Sequence, residues 1–180
     1  MGRVLTLRGT LTSDMNSFRV SETLALSYES PDRTKGWKVT GAWLWIADVE
    51  AQNTISANNN PVLYGALSTD KLTQPVRIST VTSVEDNRLF GWTQVHYRGF
   101  DTQNYFVPHA SVPADQSFLL DLDRIVTNEL YVYAGVKTNG GVVTPFPVTI
   151  NYMIALEEVK VSPSQSVLQQ LKGIGQNVDN

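Results

Sequence analysis

The sequence predicts an all-β protein, a sandwich or barrel formed as one domain. Three observations carry that expectation. Extended, alternating segments recur at roughly 10–18-residue spacing between turn-forming clusters, giving about nine or ten strands. Only one segment, close to the C-terminus, combines helical periodicity with a capping signal. The chain of 180 residues, with 42% hydrophobic and 17% charged side chains, is long enough to bury a single core without a disulfide or metal staple.

The first half reads as follows. Residues 3–11 alternate, with Val4, Thr6 and Arg8 against Leu5, Leu7 and Gly9. Ser13-Asp14-Met15-Asn16 turns the chain, and residues 18–28, with Val20, Leu24 and Leu26, form a second strand. In Ser30-Pro31-Asp32 the proline fixes φ and the aspartate can close an Asx-turn. Residues 36–48 place Trp43 and Trp45 on one face and Leu44 and Ile46 on the other. Such a strand is expected to be covered on both sides, its aromatic face by a second sheet or a neighbouring subunit. Residues 51–61 are a polar loop, 62–67 a short strand, and Ser68-Thr69-Asp70-Lys71 a turn. Residues 76–84 alternate weakly behind Pro75, which suggests an edge strand.

The second half opens with a long strand over residues 88–98, containing Phe90, Trp92, Val95 and Tyr97. Residues 99–113 are irregular with a short strand near 105–107, and 116–121 are extended. Residues 128–137 set Leu130, Val132 and Ala134 against Tyr131, Tyr133 and Gly135. Thr138-Asn139-Gly140-Gly141 carries the Asn-Gly signal of a hairpin turn. Residues 147–161 form the last strand, apolar on both faces. Ser162 then fits an N-cap, Pro163 the first helical position and Gln165 the capping-box spacing. Val167, Leu168 and Leu171 make a one-sided apolar stripe, and Gly173 ends the helix. The expected organisation is a β-body over residues 1–161, a short amphipathic helix over 162–175 and a polar tail over 176–180.

Composition narrows function by exclusion. With no cysteine, thiolate zinc sites, iron–sulfur clusters, disulfides and cysteine nucleophiles are out. No apolar run approaches ~18 residues, so no transmembrane helix is expected, nor is a secretory leader or lipidation signal at the N-terminus. Net charge is −3, unlike a basic nucleic-acid-binding domain. His96 and His109 lack ligand-spaced partners and read as packing or surface residues. Asp121-Leu122-Asp123 puts two carboxylates on one face, which Ca²⁺ or acid–base chemistry could use, but adjacent Arg124 favours a turn with a local ion pair. Glu157 and Glu158 face opposite ways at a strand end. Ser68-x-x-Lys71 spells a catalytic motif without the helix it needs. No phosphate-binding glycine loop or nucleophile elbow occurs. No catalytic residue, metal site or cofactor is assigned. Among the tryptophans, Trp43 and Trp45 suit a core or subunit interface, and Trp37, beside Lys38, is the candidate exposed aromatic.

The segments Asp121-Leu122-Asp123-Arg124-Ile125-Val126, Asn128-Glu129-Leu130-Tyr131-Val132-Tyr133 and Ile150-Asn151-Tyr152-Met153-Ile154-Ala155-Leu156-Glu157-Glu158-Val159, followed by the helix from Pro163, resemble small jelly-roll coat proteins of environmental, chiefly marine, single-stranded DNA viruses and phages. The resemblance covers about the last sixty residues; the first half matches only as alternating strands. It implies a jelly-roll sandwich of two four-stranded antiparallel sheets without enzyme activity. It further implies a virion location and self-assembly of many copies, as in an icosahedral shell, with other virion proteins as further partners and no membrane contact. One departure bears on the genome. The first forty residues carry six basic and four acidic side chains, so there is no basic arm, and contact with packaged nucleic acid is expected to be weak or indirect. The stripe Val167, Leu168 and Leu171 must dock on its own sandwich or on a neighbour, because so short a helix is marginal alone. A carbohydrate-binding, lectin-like module is the competing reading, resting on tryptophans that could stack on sugars. An enzyme on a β-scaffold rests only on Asp121, Asp123 and the two histidines.

Overall fold

The computed structural model describes residues 2–14, 19–28, 34–47, 61–73, 75–99, 106–108, 117–138, 147–165 and 167–168. Its strands are β1 (Val4–Asp14), β2 (Ser21–Ser27), β3 (Lys35–Ile46), β4 (Pro61–Ser68), β5 (Leu89–Gly99), β6 (Phe106–Pro108), β7 (Leu119–Leu120), β8 (Ile125–Val126), β9 (Glu129–Thr138) and β10 (Pro147–Lys160), with one helical turn, α1 (Ile78–Val81), between β4 and β5.

Two antiparallel sheets result. One has the order β1-β10-β3-β8; the other runs β2-β9-β4-β5, with β6 and β7 both added at the far edge of β5. With those two short additions set aside, the other eight strands pair first with last and inward: β1 with β10, β2 with β9, β3 with β8, β4 with β5. The chain is thus one long hairpin, rolled so that β10 also pairs with β3 and β9 with β4. That wiring is the jelly roll.

The roll explains one departure from local sequence signals. Asn139-Gly140 follows β9, but β9 and β10 lie in different sheets, so the connection is not a hairpin; residues 139–146 themselves lie outside the described residues. Leu130, Val132, Ala134 and Val136 of β9 and Val148, Ile150, Ile154 and Leu156 of β10 share one core.

The core between the sheets takes alternate residues from each strand, with the phase changing along β3 and β5. Leu44, Leu63, Leu67, Leu130, Ile150 and Ile154 are fully enclosed there. The second sheet is buried on its other side too. Leu72, Val76 and Val81 cover Ala66, Leu89, Tyr131 and Tyr133. This is why residues 76–84 are not the expected edge strand. Val76 and Val81 would point to opposite faces of an extended chain, whereas the turn of α1 lets both be buried against the sheet.

Three tyrosine hydroxyls tie the layers. The Ile46 N–H donates to Tyr97 Oη (3.2 Å) across the sandwich. Tyr152 of β10 is hydrogen-bonded to Thr23 near the sandwich edge. The Leu72 N–H donates to Tyr133 Oη (2.8 Å), pinning the covering segment to β9. Burial pushes all three phenols above their usual range. Tyr133→Phe leaves the buried Leu72 N–H without its acceptor and is expected to lower stability by about 1–3 kcal/mol. A denaturant melt of variant and parent checks this.

Candidate functional site

The site residues expected from sequence fall on the outside of the sandwich or at its C-terminal exit, with one exception. Trp43 and Trp45 lie on the outer face of β3, half-buried, while Ala42, Leu44 and Ile46 point into the core. Opposite them in β10 are Met153, partner of Trp43, and Asn151, partner of Trp45. The six-membered ring of Trp43 covers the Gly41 Cα, an approach that a Cβ there would block. The aromatic face of β3 is therefore turned away from the second sheet.

Trp37 is the exception and a correction: it is 8% exposed, not an exposed aromatic. The cause is a β-bulge. Leu156 pairs with Val39 and Ala155 with Gly41, leaving Thr40 as an extra residue whose hydroxyl donates to the Ala155 carbonyl (3.2 Å). The extra residue reverses the alternation, so Trp37 and Val39 face inward before it, as Ala42 and Leu44 do after it. Trp37 stands edge-on to Tyr28, ring centroids 5.9 Å apart, and its indole N–H has no hydrogen-bond partner among the described residues.

The C-terminal segment begins as expected. The Gln165 N–H donates to Ser162 Oγ and the Ser162 N–H to Gln165 Oε1, both at 3.2 Å, a closed capping box. Residues 163–165 and 167–168 are helical. Val167 and Leu168 are 52% and 59% exposed, so they do not dock on their own sandwich. Leu171 lies outside the described residues.

The groups with chemical potential are occupied otherwise. His96 is exposed and sits 2.9 Å from the Gln94 amide; His109 lies outside the described residues. Asp121 Oδ1 accepts the Asp123 N–H (3.1 Å), forming an Asx-turn. The expected ion pair is not local. Arg124 folds inward, its side chain 4% exposed, and Nη2 donates to Thr69 Oγ1 (2.6 Å) with Asp70 Oδ2 at 4.0 Å. Burial lowers its pKa, against the pull of Asp70 and Asp121. Ser68 is buried and donates to the Asp70 and Arg88 carbonyls, so the Ser-x-x-Lys spelling marks a turn. Asp86 and Arg88 form a two-bonded pair at 2.9 and 2.7 Å. Burial works to raise the Asp86 pKa, but the bonds from Arg88 win and hold it below the usual carboxylate value. Glu158 reaches Lys35 at 3.5 Å. Among the described residues no cluster of three or more His, Asp or Glu side chains could hold a metal ion.

Sequence reading missed Leu119 and Leu122, which are 75% and 60% exposed, one before the Asx-turn and one at its centre. The clue was present as leucines alternating with aspartates in Leu119-Leu120-Asp121-Leu122-Asp123, but only the structure shows that Leu120 alone of the three packs on the core.

No protein-family model matches the chain, and no curated protein matches its sequence. Solved structures do match in shape. The apo VP1 of chimpanzee polyomavirus superposes with a TM-score of 0.51 at 9% identity, over 88% of this chain and 96% of that one. The VP1 of human polyomavirus 12, solved with 3'-sialyllactosamine, gives 0.45 at 10% identity over 88% and 99%. The capsid of Helicobacter pylori bacteriophage KHP30 gives 0.31 at 11% identity over 90% and 99%. The strand wiring and the first of these superpositions agree: the chain has the antiparallel jelly-roll sandwich fold found in the polyomavirus capsid protein VP1.

Proposed function

We propose that this chain is a structural subunit of a virion shell, assembling in many copies through the sides and loops of its sandwich. The observation that carries this reading is the jelly roll itself, matched along nearly the whole of both chains to a capsid protein. The outer surfaces fit that role. Half-buried Trp43 and Trp45 with Met153 form one apolar face, and Val167, Leu168, Leu119 and Leu122 stand exposed elsewhere. Apolar side chains that a lone subunit leaves in water mark protein contact surfaces. In this reading the chain is not an enzyme, its partners are copies of itself and other virion proteins, and packaged nucleic acid is held weakly or indirectly.

The carbohydrate-binding alternative loses its best residue, because Trp37 is buried and cannot stack on a sugar. Sedimentation velocity over a concentration series, at several salt and pH values, tests the proposal. Discrete multi-copy species growing with concentration support it. A single monomer boundary under every condition overturns it.

A further inference from the structure

One long sheet edge remains that the fold does not use. Among the described residues, β1 pairs with β10 on one side and with no strand on the other. It runs for 11 residues in unbroken register, without a proline, a lysine or a bulge, the devices that usually blunt an edge. The other sheet ends differ. Strands β6, β7 and β8 span 3, 2 and 2 residues, and β2 is interrupted by a bulge between Leu24 and Leu26. The backbone groups on the free side of β1 follow from its register. The Glu158 N–H donates to the Arg3 carbonyl (2.8 Å), one step beyond the Val4–Glu157 pair. Antiparallel partners alternate between bonded and unbonded pairs, so the odd-numbered residues of β1 bond to β10. The Ala47 N–H, donating to the Thr149 carbonyl (2.8 Å), gives the same parity: odd-numbered residues of β10 serve β3 and even-numbered ones serve β1. Hence the even-numbered residues of β1 direct their N–H and C=O groups away from the sheet.

Such a row of donors and acceptors is completed by another extended strand. The side chains along it say which. Val4, Thr6, Arg8, Thr10, Thr12 and Asp14 are all exposed, and their charges, Arg8 and Asp14, are of opposite sign. When β1 pairs antiparallel with its own copy, the bonded residues are even-numbered in both strands. A two-fold axis at Arg8 sets the two guanidinium groups against each other, and an axis at Gly9 leaves them diagonal neighbours. An axis at Thr10 sets Arg8 against Thr12. An axis at Leu11 sets Arg8 against Asp14 and Thr10 against Thr12, each pair occurring once on either side. We infer that β1 of one copy pairs antiparallel with β1 of a second copy about an axis at Leu11, closing Arg8–Asp14 ion pairs at both ends. The 4-stranded sheets of the two copies then continue as one. The same surface serves both copies, so the contact is isologous and gives a two-fold dimer, which other contacts build into the shell. This deepens the shell proposal and rests on it.

Proline and charge exchange test the contact, read by sedimentation equilibrium of the full chain with a thermal melt of each variant. Thr10→Pro removes an N–H that points off the edge and none that bonds to β10, the placement in which an edge strand tolerates proline. It is expected to leave the subunit folded and to weaken the dimer roughly tenfold or more, because each copy loses a donor at the centre of the contact. Arg8→Asp and Asp14→Arg are each expected to weaken the dimer roughly threefold to tenfold, and the Arg8→Asp/Asp14→Arg double variant to restore it. The charge variants lie on the exposed face and decide the matter alone where the proline variant fails to fold. Unchanged dimerisation in a folded Thr10→Pro, or in both single charge variants, while the parent still assembles, overturns this contact and leaves the shell proposal standing. Equal loss in the charge singles and in their double variant does the same, provided all three melt like the parent. A parent that sediments only as a monomer overturns both.

Discussion

Leu44→Ala is expected to destabilise the subunit by about 2–5 kcal/mol, among the largest effects of any single change. Leu44 is fully buried in β3, and its Cδ2 lies where a Cβ on Gly65 of β4 would fall, at 2.6 Å. The same Cβ would meet Thr93 at 3.0 Å and Phe118 at 3.1 Å. Gly65 is therefore where the two sheets approach closely enough to exclude even a methyl group. Gly65→Ala is expected to cost about 1–3 kcal/mol by overpacking. The two changes act on one space, so they should not add. In the double variant the alanine methyl at 65 occupies volume that the shortened residue 44 vacates, and the loss should fall well below the sum of the singles. Denaturant melts of the four proteins give the coupling. An additive result would mean that the sheets do not meet at this point.

Leu168→Asp with Leu171→Asp should abolish assembly while leaving the melting temperature of the subunit unchanged. The sequence alone left two berths for the stripe, its own sandwich or a neighbour. With Val167 and Leu168 more than half exposed, the first berth is gone. Charges at exposed positions shift stability by only about 0.5 kcal/mol. In a subunit contact the same charges would meet apolar surface, where each lost leucine removes about 1.5–3 kcal/mol of burial. Deleting residues 176–180, polar and beyond the stripe, should leave particle yield unchanged. Melting curves and particle yields of both variants separate these outcomes. A fall in subunit melting temperature would place the stripe on its own sandwich instead.

Alternation made most of the sandwich legible. Strands β1, β5 and β10 carry period-two patterns that survive in their burial, as does β3 after its bulge, whereas β9 is buried on both faces and β3, expected to be covered on both sides, leaves Trp43 and Trp45 half-buried on its outer face. What could not be read was anything that changes phase or depends on a distant partner. The bulge at Thr40 inverted the placement of Trp37, because one extra residue moves every side chain before it to the other face. The turn of α1 exists because Val76 and Val81 share a burial site on β9 and its neighbours, and local propensity in Ile78-Ser79-Thr80-Val81 does not announce it. Arg124 looked like the partner of its own neighbours, yet it is drawn to Thr69 and Asp70 by a fold that lays the start of β8 against the end of β4. The exposed leucines at 119 and 122 were unreadable for the same reason. Which member of a run of leucines faces the core is decided by pairing with β5.

Electron microscopy of the concentrated parent protein addresses the central claim most directly. A jelly-roll shell subunit should yield closed particles of uniform diameter, built from many copies and dissociating into intact, folded subunits when the C-terminal stripe carries the two aspartates. A field of monomers, or amorphous aggregate without closed particles across the same range of concentration, salt and pH, would contradict it.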